Sequence, residues 1–68
     1  MRVKSAREII NSLPEPQIGD IVFDITYDSG VLIEIDRSSH PYCYLVKYCN
    51  SKITTYYDAF ELKAKRIR

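Results

Sequence analysis

From the N-terminus to Arg68 the spacing of apolar positions changes once, near Gln17. Before it, Ala6, Ile9, Ile10 and Leu13 fall at i, i+3, i+4 and i+7, the stripe of a short amphipathic helix. Ser5-Ala6-Arg7-Glu8 has the form of a capping box, in which Ser5 accepts from the N–H of Glu8 and the Glu8 carboxylate reaches back. Pro14 and Pro16 end the helix, and Pro14 turns Leu13 away from helical geometry. A helix of about two turns is unstable alone, so its stripe needs cover from the rest of the chain or from a partner.

After Gln17 the period is two. Ile21, Phe23 and Ile25 alternate with Val22, Asp24 and Thr26, and Tyr27-Asp28-Ser29-Gly30 reads as a tight turn with Gly30 at positive φ. In the next run Val31, Ile33 and Ile35 face one way and Leu32, Glu34 and Asp36 the other. The charges must meet water, so the first set is expected in the core and Leu32 outside. Arg37 to Pro41 is a polar loop. Tyr44, Val46 and Tyr48 then oppose Cys43, Leu45, Lys47 and Cys49, and Lys47 marks that second set as mostly outward. Asn50-Ser51-Lys52 turns the chain into Ile53–Tyr57, and Asp58–Leu62 leads into a basic end. Five short runs in this order predict a mainly β fold, a small and strongly bent five-stranded barrel over residues 18–68. Residues 1–17 supply a short N-terminal α-helix and a Pro-containing linker.

A chain of 68 residues is one domain near the lower limit for a self-sufficient core. Six tyrosines and no tryptophan suit a barrel that needs bulky filler with a polar tip. The first ten residues are charged and lack the apolar centre of a signal peptide. No apolar run approaches the ~20 residues of a membrane-spanning helix. Cys43 and Cys49 on one extended strand would lie about 20 Å apart, against the roughly 7 Å limit of a disulfide. The expectation is a cytoplasmic protein with two reduced thiols and no membrane association.

Charge is near balance overall but uneven. No Lys or Arg occurs between Arg7 and Arg37, whereas Glu8, Glu15, Asp20, Asp24, Asp28, Glu34 and Asp36 do; Lys63, Lys65, Arg66 and Arg68 crowd the end. Either the basic end meets phosphate or an acidic protein, or the last strand pairs with the first and the charges neutralise one another.

Gly19-Asp20-x-Val22, Gly30-Val31-Leu32-x-x-Ile35, Leu45-Val46-x-Tyr48 and Phe60-Glu61-Leu62 together resemble the small SH3-like barrels of the Tudor-like kind. The likeness is to the Tudor-like domain that ends bacterial DNA-repair helicases, and to the RNA polymerase-interacting domain of CarD and transcription-repair coupling factor. KOW modules share the Gly-x-Val portion. The resemblance covers residues 19–62 and implies strands bent around one core, with a single 3-10 turn over Asp58–Glu61 before a last strand. It also implies a protein-binding edge or loop face, in several relatives directed at RNA polymerase. The chain departs from them in its added N-terminal helix and in lacking a Trp on the polymerase-facing surface.

Candidate chemistry is sparse. His40, the only histidine, lies three residues from Cys43 across Pro41 with no third group to orient it, so no catalytic residue is assigned. His40, Cys43 and Cys49 fall short of a zinc set, and two glycines cannot build a phosphate loop, so no metal or cofactor is expected. Tyr27, Asp28, Tyr42 and Tyr57 form a candidate aromatic rim, of the sort that holds a methylated cation by cation–π attraction. The main expectation is a non-catalytic protein-interaction module, a regulator or adaptor of transcription or DNA-processing machinery, with RNA polymerase the partner suggested by resemblance. Its apolar contact residues would be Leu32, Cys43, Leu45, Ile10 and Leu13. The alternative is a nucleic-acid-binding barrel using Lys47, Lys52, Tyr56, Lys63, Lys65, Arg66 and Arg68.

Overall fold

A computed structural model describes residues 5–67. Its elements are α1 (Ala6–Asn11), β1 (Ile21–Asp24), β2 (Asp28–Ile35), β3 (Tyr44–Tyr48), β4 (Thr54–Tyr57) and α2 (Ala59–Lys65), with a 3-10 turn at Arg37–Ser39. The strands form one antiparallel sheet in the order β1-β2-β3-β4, each joined to the next by a hairpin. The fold is thus mainly β, as the period-two pattern implies, but the sheet is open and has four strands rather than five.

The missing strand is the stretch after Tyr57. Asp58 accepts a 2.8 Å hydrogen bond from the Glu61 N–H and starts a true α-helix where a 3-10 turn was expected. The strand beyond it shrinks to one antiparallel bridge, Val22 to Arg66, and an N–H of Ile67 donating to the Ile21 carbonyl at 2.9 Å. Helix α2 touches both β1 and β4, the two outer strands, and so lies across the mouth of the sheet. Its Leu62 is fully buried, and its Ala59 packs on the core.

The core consists of Val22, Leu32, Cys43, Tyr44, Val46, Tyr48, Tyr57 and Leu62. Leu32 is 0% exposed, which inverts the expected facing of β2, and Ile33 is 40% exposed. The cause is a β-bulge. Leu32 pairs with Val46 but Glu34 pairs with Leu45, so Ile33 and Glu34 together oppose one residue. The extra residue shifts the phase of the strand, bringing Ile35 back against the core alongside Tyr44. Cys43, also expected outside, is 5% exposed and belongs to the core, whereas Cys49 is exposed; both thiols are free.

Turn chemistry fixes the ends of the strands. Gly19 has φ +98° between Gln17 and Asp20, whose N–H donates to the Gln17 carbonyl at 3.0 Å, the geometry in which glycine is favoured. In the first hairpin the Asp24 carboxylate accepts from the N–H groups of Thr26 (2.7 Å) and Tyr27 (3.3 Å). The positive φ there falls on Asp28 (67°), not on Gly30. Gly30 serves packing instead: a Cβ on it would stand 2.8 Å from side-chain atoms of both Tyr48 and Val46.

Inside, the Tyr48 and Tyr57 hydroxyls share a 2.6 Å hydrogen bond, and the Tyr27 ring lies 5.1 Å from that of Tyr48. Burial, then the bond to Tyr57, holds the Tyr48 phenol far above its ordinary pKa. Helix α1 is capped as expected, the Ser5 hydroxyl accepting from the Glu8 N–H at 3.2 Å. It rests against α2, with the Arg7 guanidinium 4.6 Å from the centre of the Phe60 ring. Ile10 and Leu13 are half-buried there, while Ala6 and Ile9 stay exposed. Among the described residues no helix is long and apolar enough to cross a membrane.

Candidate interaction surface

Alternation along a strand sends successive side chains to opposite faces, so the buried residues locate the outer face by subtraction. Val22 points in, hence Ile21 and Phe23 point out. Leu32 points in, hence Val31 and Ile33 point out; Val46 and Tyr57 point in, hence Leu45 and Tyr56 point out. The register joins these positions. Ile21 pairs with Val31, Ile33 sits in the bulge opposite Leu45, and Leu45 pairs with Tyr56. The Val22–Arg66 bridge adds Ile67 beside Ile21. The result is a continuous apolar band across the whole sheet, with Phe23 49% exposed and Ile25, in the adjoining turn, 94% exposed. An antiparallel sheet with one solvated face ordinarily carries polar residues on it. This one carries mainly aliphatics and aromatics, with Ser29, Glu34, Lys47 and Thr54 interspersed.

Of the contact residues expected from sequence, Leu45 lies in this band, half-buried. Leu32 and Cys43 are core and offer no contact surface: the bulge after Leu32 resets the phase of β2, and Cys43, just ahead of β3, is buried beside Tyr44. Ile10 and Leu13 lie at the α1 region, apart from the sheet face. Ile21, Phe23 and Ile33 were the residues that sequence reasoning missed. A signal for two of them was present, since Ile21-Val22-Phe23 is apolar at three successive positions and a half-buried strand needs only every second one.

The aromatic rim is not assembled as an empty cage. Tyr27 is packed on Tyr48, and Tyr57 is buried with its hydroxyl engaged by Tyr48. The ammonium of Lys65 already stands 5.7 Å from the centre of the Tyr57 ring, held by a 2.7 Å bond to the Asp24 carboxylate. Asp28 is an exposed turn residue, and Tyr42 is exposed beside the 3-10 turn, where its N–H donates to Ser39.

The basic end is matched to the acidic first half. Lys65 pairs with Asp24, Arg66 with Asp20 at 3.0 Å, and Lys63 with Glu15 at 3.7 Å. The Lys65 bond draws Asp24 below its ordinary pKa and raises that of Lys65. Three of the cations proposed for phosphate are therefore engaged within the chain. Lys47, Lys52 and Tyr56 are exposed, and Arg68 lies outside the described residues.

A cleft of about 430 Å³ opens between α2 and the 3-10 turn, lined among others by Glu15, Arg37, His40, Cys43, Tyr44 and Phe60. The Tyr44 hydroxyl donates to Glu15 at 3.2 Å, and burial together with that carboxylate raises its pKa. The charges in the cleft are of mixed sign. Among the described residues no group of three His, Cys, Asp or Glu side chains is placed to hold a metal ion.

No family model, curated protein or solved structure matches this chain.

Proposed function

We propose that this protein is a non-catalytic interaction module that binds protein through the outer face of its sheet. The observation that carries this reading is the apolar band Ile67–Ile21–Val31–Ile33–Leu45–Tyr56, flanked by the half-exposed Phe23. Exposed apolar area of this continuity favours association because covering it removes hydrocarbon from water. The engagement of Lys63, Lys65 and Arg66 by Glu15, Asp24 and Asp20 speaks against the nucleic-acid alternative, since free cations are what release counterions from a phosphate backbone. The consecutive hairpins, the helix across the sheet mouth and the return of Arg66 to β1 agree with an SH3-like layout whose fifth strand is reduced to a bridge. On that reading the role is regulatory or adaptor-like, in a transcription or DNA-processing assembly.

The test compares the wild-type chain with Phe23→Lys and Ile33→Lys as baits in nuclease-treated lysate. A protein retained by the wild type and lost by both variants, at unchanged circular dichroism, supports the reading. Recovery of nucleic acid alone before nuclease, and of nothing after it, overturns it.

A further inference from the structure

We infer that the occupant of the outer sheet face is a second copy of this chain, docked face to face about a two-fold axis; this rests on the interaction reading above. The charge pattern inside the apolar band selects this occupant. Among the described residues the charged side chains that the strand register places on that face are one acid, Glu34, and one base, Lys47. Glu34 lies across from Leu45, and Lys47 lies two residues further along β3. Both are exposed, and neither has an ion-pair partner among the described residues.

In a two-fold contact, whatever residue i meets on the partner, the partner's copy of i meets in return. An axis passing between Glu34 and Lys47 sets each acid against the other copy's base, twice per dimer, with the Ile21, Val31, Ile33 and Leu45 side chains facing their own kind. A strongly acidic or basic partner would leave one of the two charges opposed to its like. The formal net charge of +1 adds almost no long-range repulsion between copies.

The size of the face sets the strength. Four strands about 4.8 Å apart and about five residues long at ~3.3 Å each span roughly 19 × 17 Å in projection. That is a small area beside the ~800 Å² of accessible surface that each partner in a standard complex buries. A face this small points to a reversible dimer, so association is sought up to millimolar concentration.

Sedimentation equilibrium on the full chain, from about 10 µM to about 1 mM, reads this directly. The weight-average mass should climb from 7.9 kDa toward twice that value. Glu34→Lys and Lys47→Glu should each weaken association about tenfold, because each sets like charges together at two symmetric places, and the double variant should restore it. Both positions are exposed, so the charge swap leaves the fold intact, and Phe23→Lys should leave only monomer. A wild-type mass that stays at 7.9 kDa throughout overturns the second copy, as does a dimer indifferent to all of these substitutions. If the wild type is monomeric yet retains a different protein that Phe23→Lys loses, the second copy is wrong and the interaction face stands. If it is monomeric and retains no protein, both readings fall.

Discussion

The two faces of this sheet are written by the same four strands, and both are apolar, yet they differ in how far neighbouring atoms constrain them. On the inner face Val22, Leu32, Val46 and Tyr48 are sealed, and a single added methyl at Gly30 finds side chains at 2.8 Å. On the outer face Ile21, Phe23 and Ile33 remain between two-fifths and half exposed. Apolar character therefore does not by itself distinguish core from contact surface in a domain this small. What distinguishes them is whether the space beside the side chain is already filled.

Substitutions can break that contrast, and the largest effect should come from Leu32→Ala. Removing a sealed side chain leaves a cavity, at a cost of about 2–5 kcal/mol. That is enough to unfold most of a 68-residue domain, read as loss of the cooperative urea transition. Gly30→Ala should cost about 1–3 kcal/mol from overpacking, with the urea midpoint lowered and the slope unchanged. Both substitutions concern positions at which the sequence pattern misleads. Gly30 resembles a turn glycine because it follows Asp28-Ser29, but its neighbours across β3 decide its role. Leu32 shares a period with Glu34 and Asp36, and no local signal announces the bulge that separates them.

Other parts of the fold were legible. The cap at Ser5 and the strand core at Tyr44, Val46 and Tyr48 each follow from residues within four positions of one another. The same local rule, applied to Asp58-Ala59-Phe60-Glu61, identifies α2, for Asp58 caps Glu61 as Ser5 caps Glu8. Five alternating runs suggest five strands, and this second cap outweighs the fifth. Of the apolar outer face, Leu45 was the one expected contact residue that the strands place there. Which of Ile21 and Val22 faced out depended on pairing with β2, a non-local fact.

Smaller effects are expected elsewhere. Tyr57→Phe removes one partner of the buried Tyr48 hydroxyl and should cost about 1–3 kcal/mol, because the remaining hydroxyl has no water to replace it. Stability should also depend on acid. The Lys65 bond and then the Thr26 N–H hold Asp24 below 3.8, and the Ser38 and Ser39 bonds do the same for Asp36. Carboxylates depressed in the folded state contribute stability above their ordinary value and lose it as the pH falls through the folded one. The urea midpoint should therefore hold level from neutrality to about pH 5 and decline below about pH 4, with Asp24→Asn flattening part of that decline. Least of all, Phe23→Ser on the outer face should move folding stability by no more than about 0.5 kcal/mol while abolishing the proposed self-association. A large loss of stability there would show that the outer face is packed within the monomer.

The return of Arg66 and Ile67 to β1 carries one more consequence. A sheet with two free edges can recruit strands at both ends and grow without limit, the route to fibres. Here the Val22–Arg66 bridge and the Ile67 N–H occupy one edge, leaving β4 as the open one. Strand-wise recruitment must stop after a single addition. Arg66 and Ile67 thus block growth at that edge, and removing them should leave both edges open and let the chain polymerise.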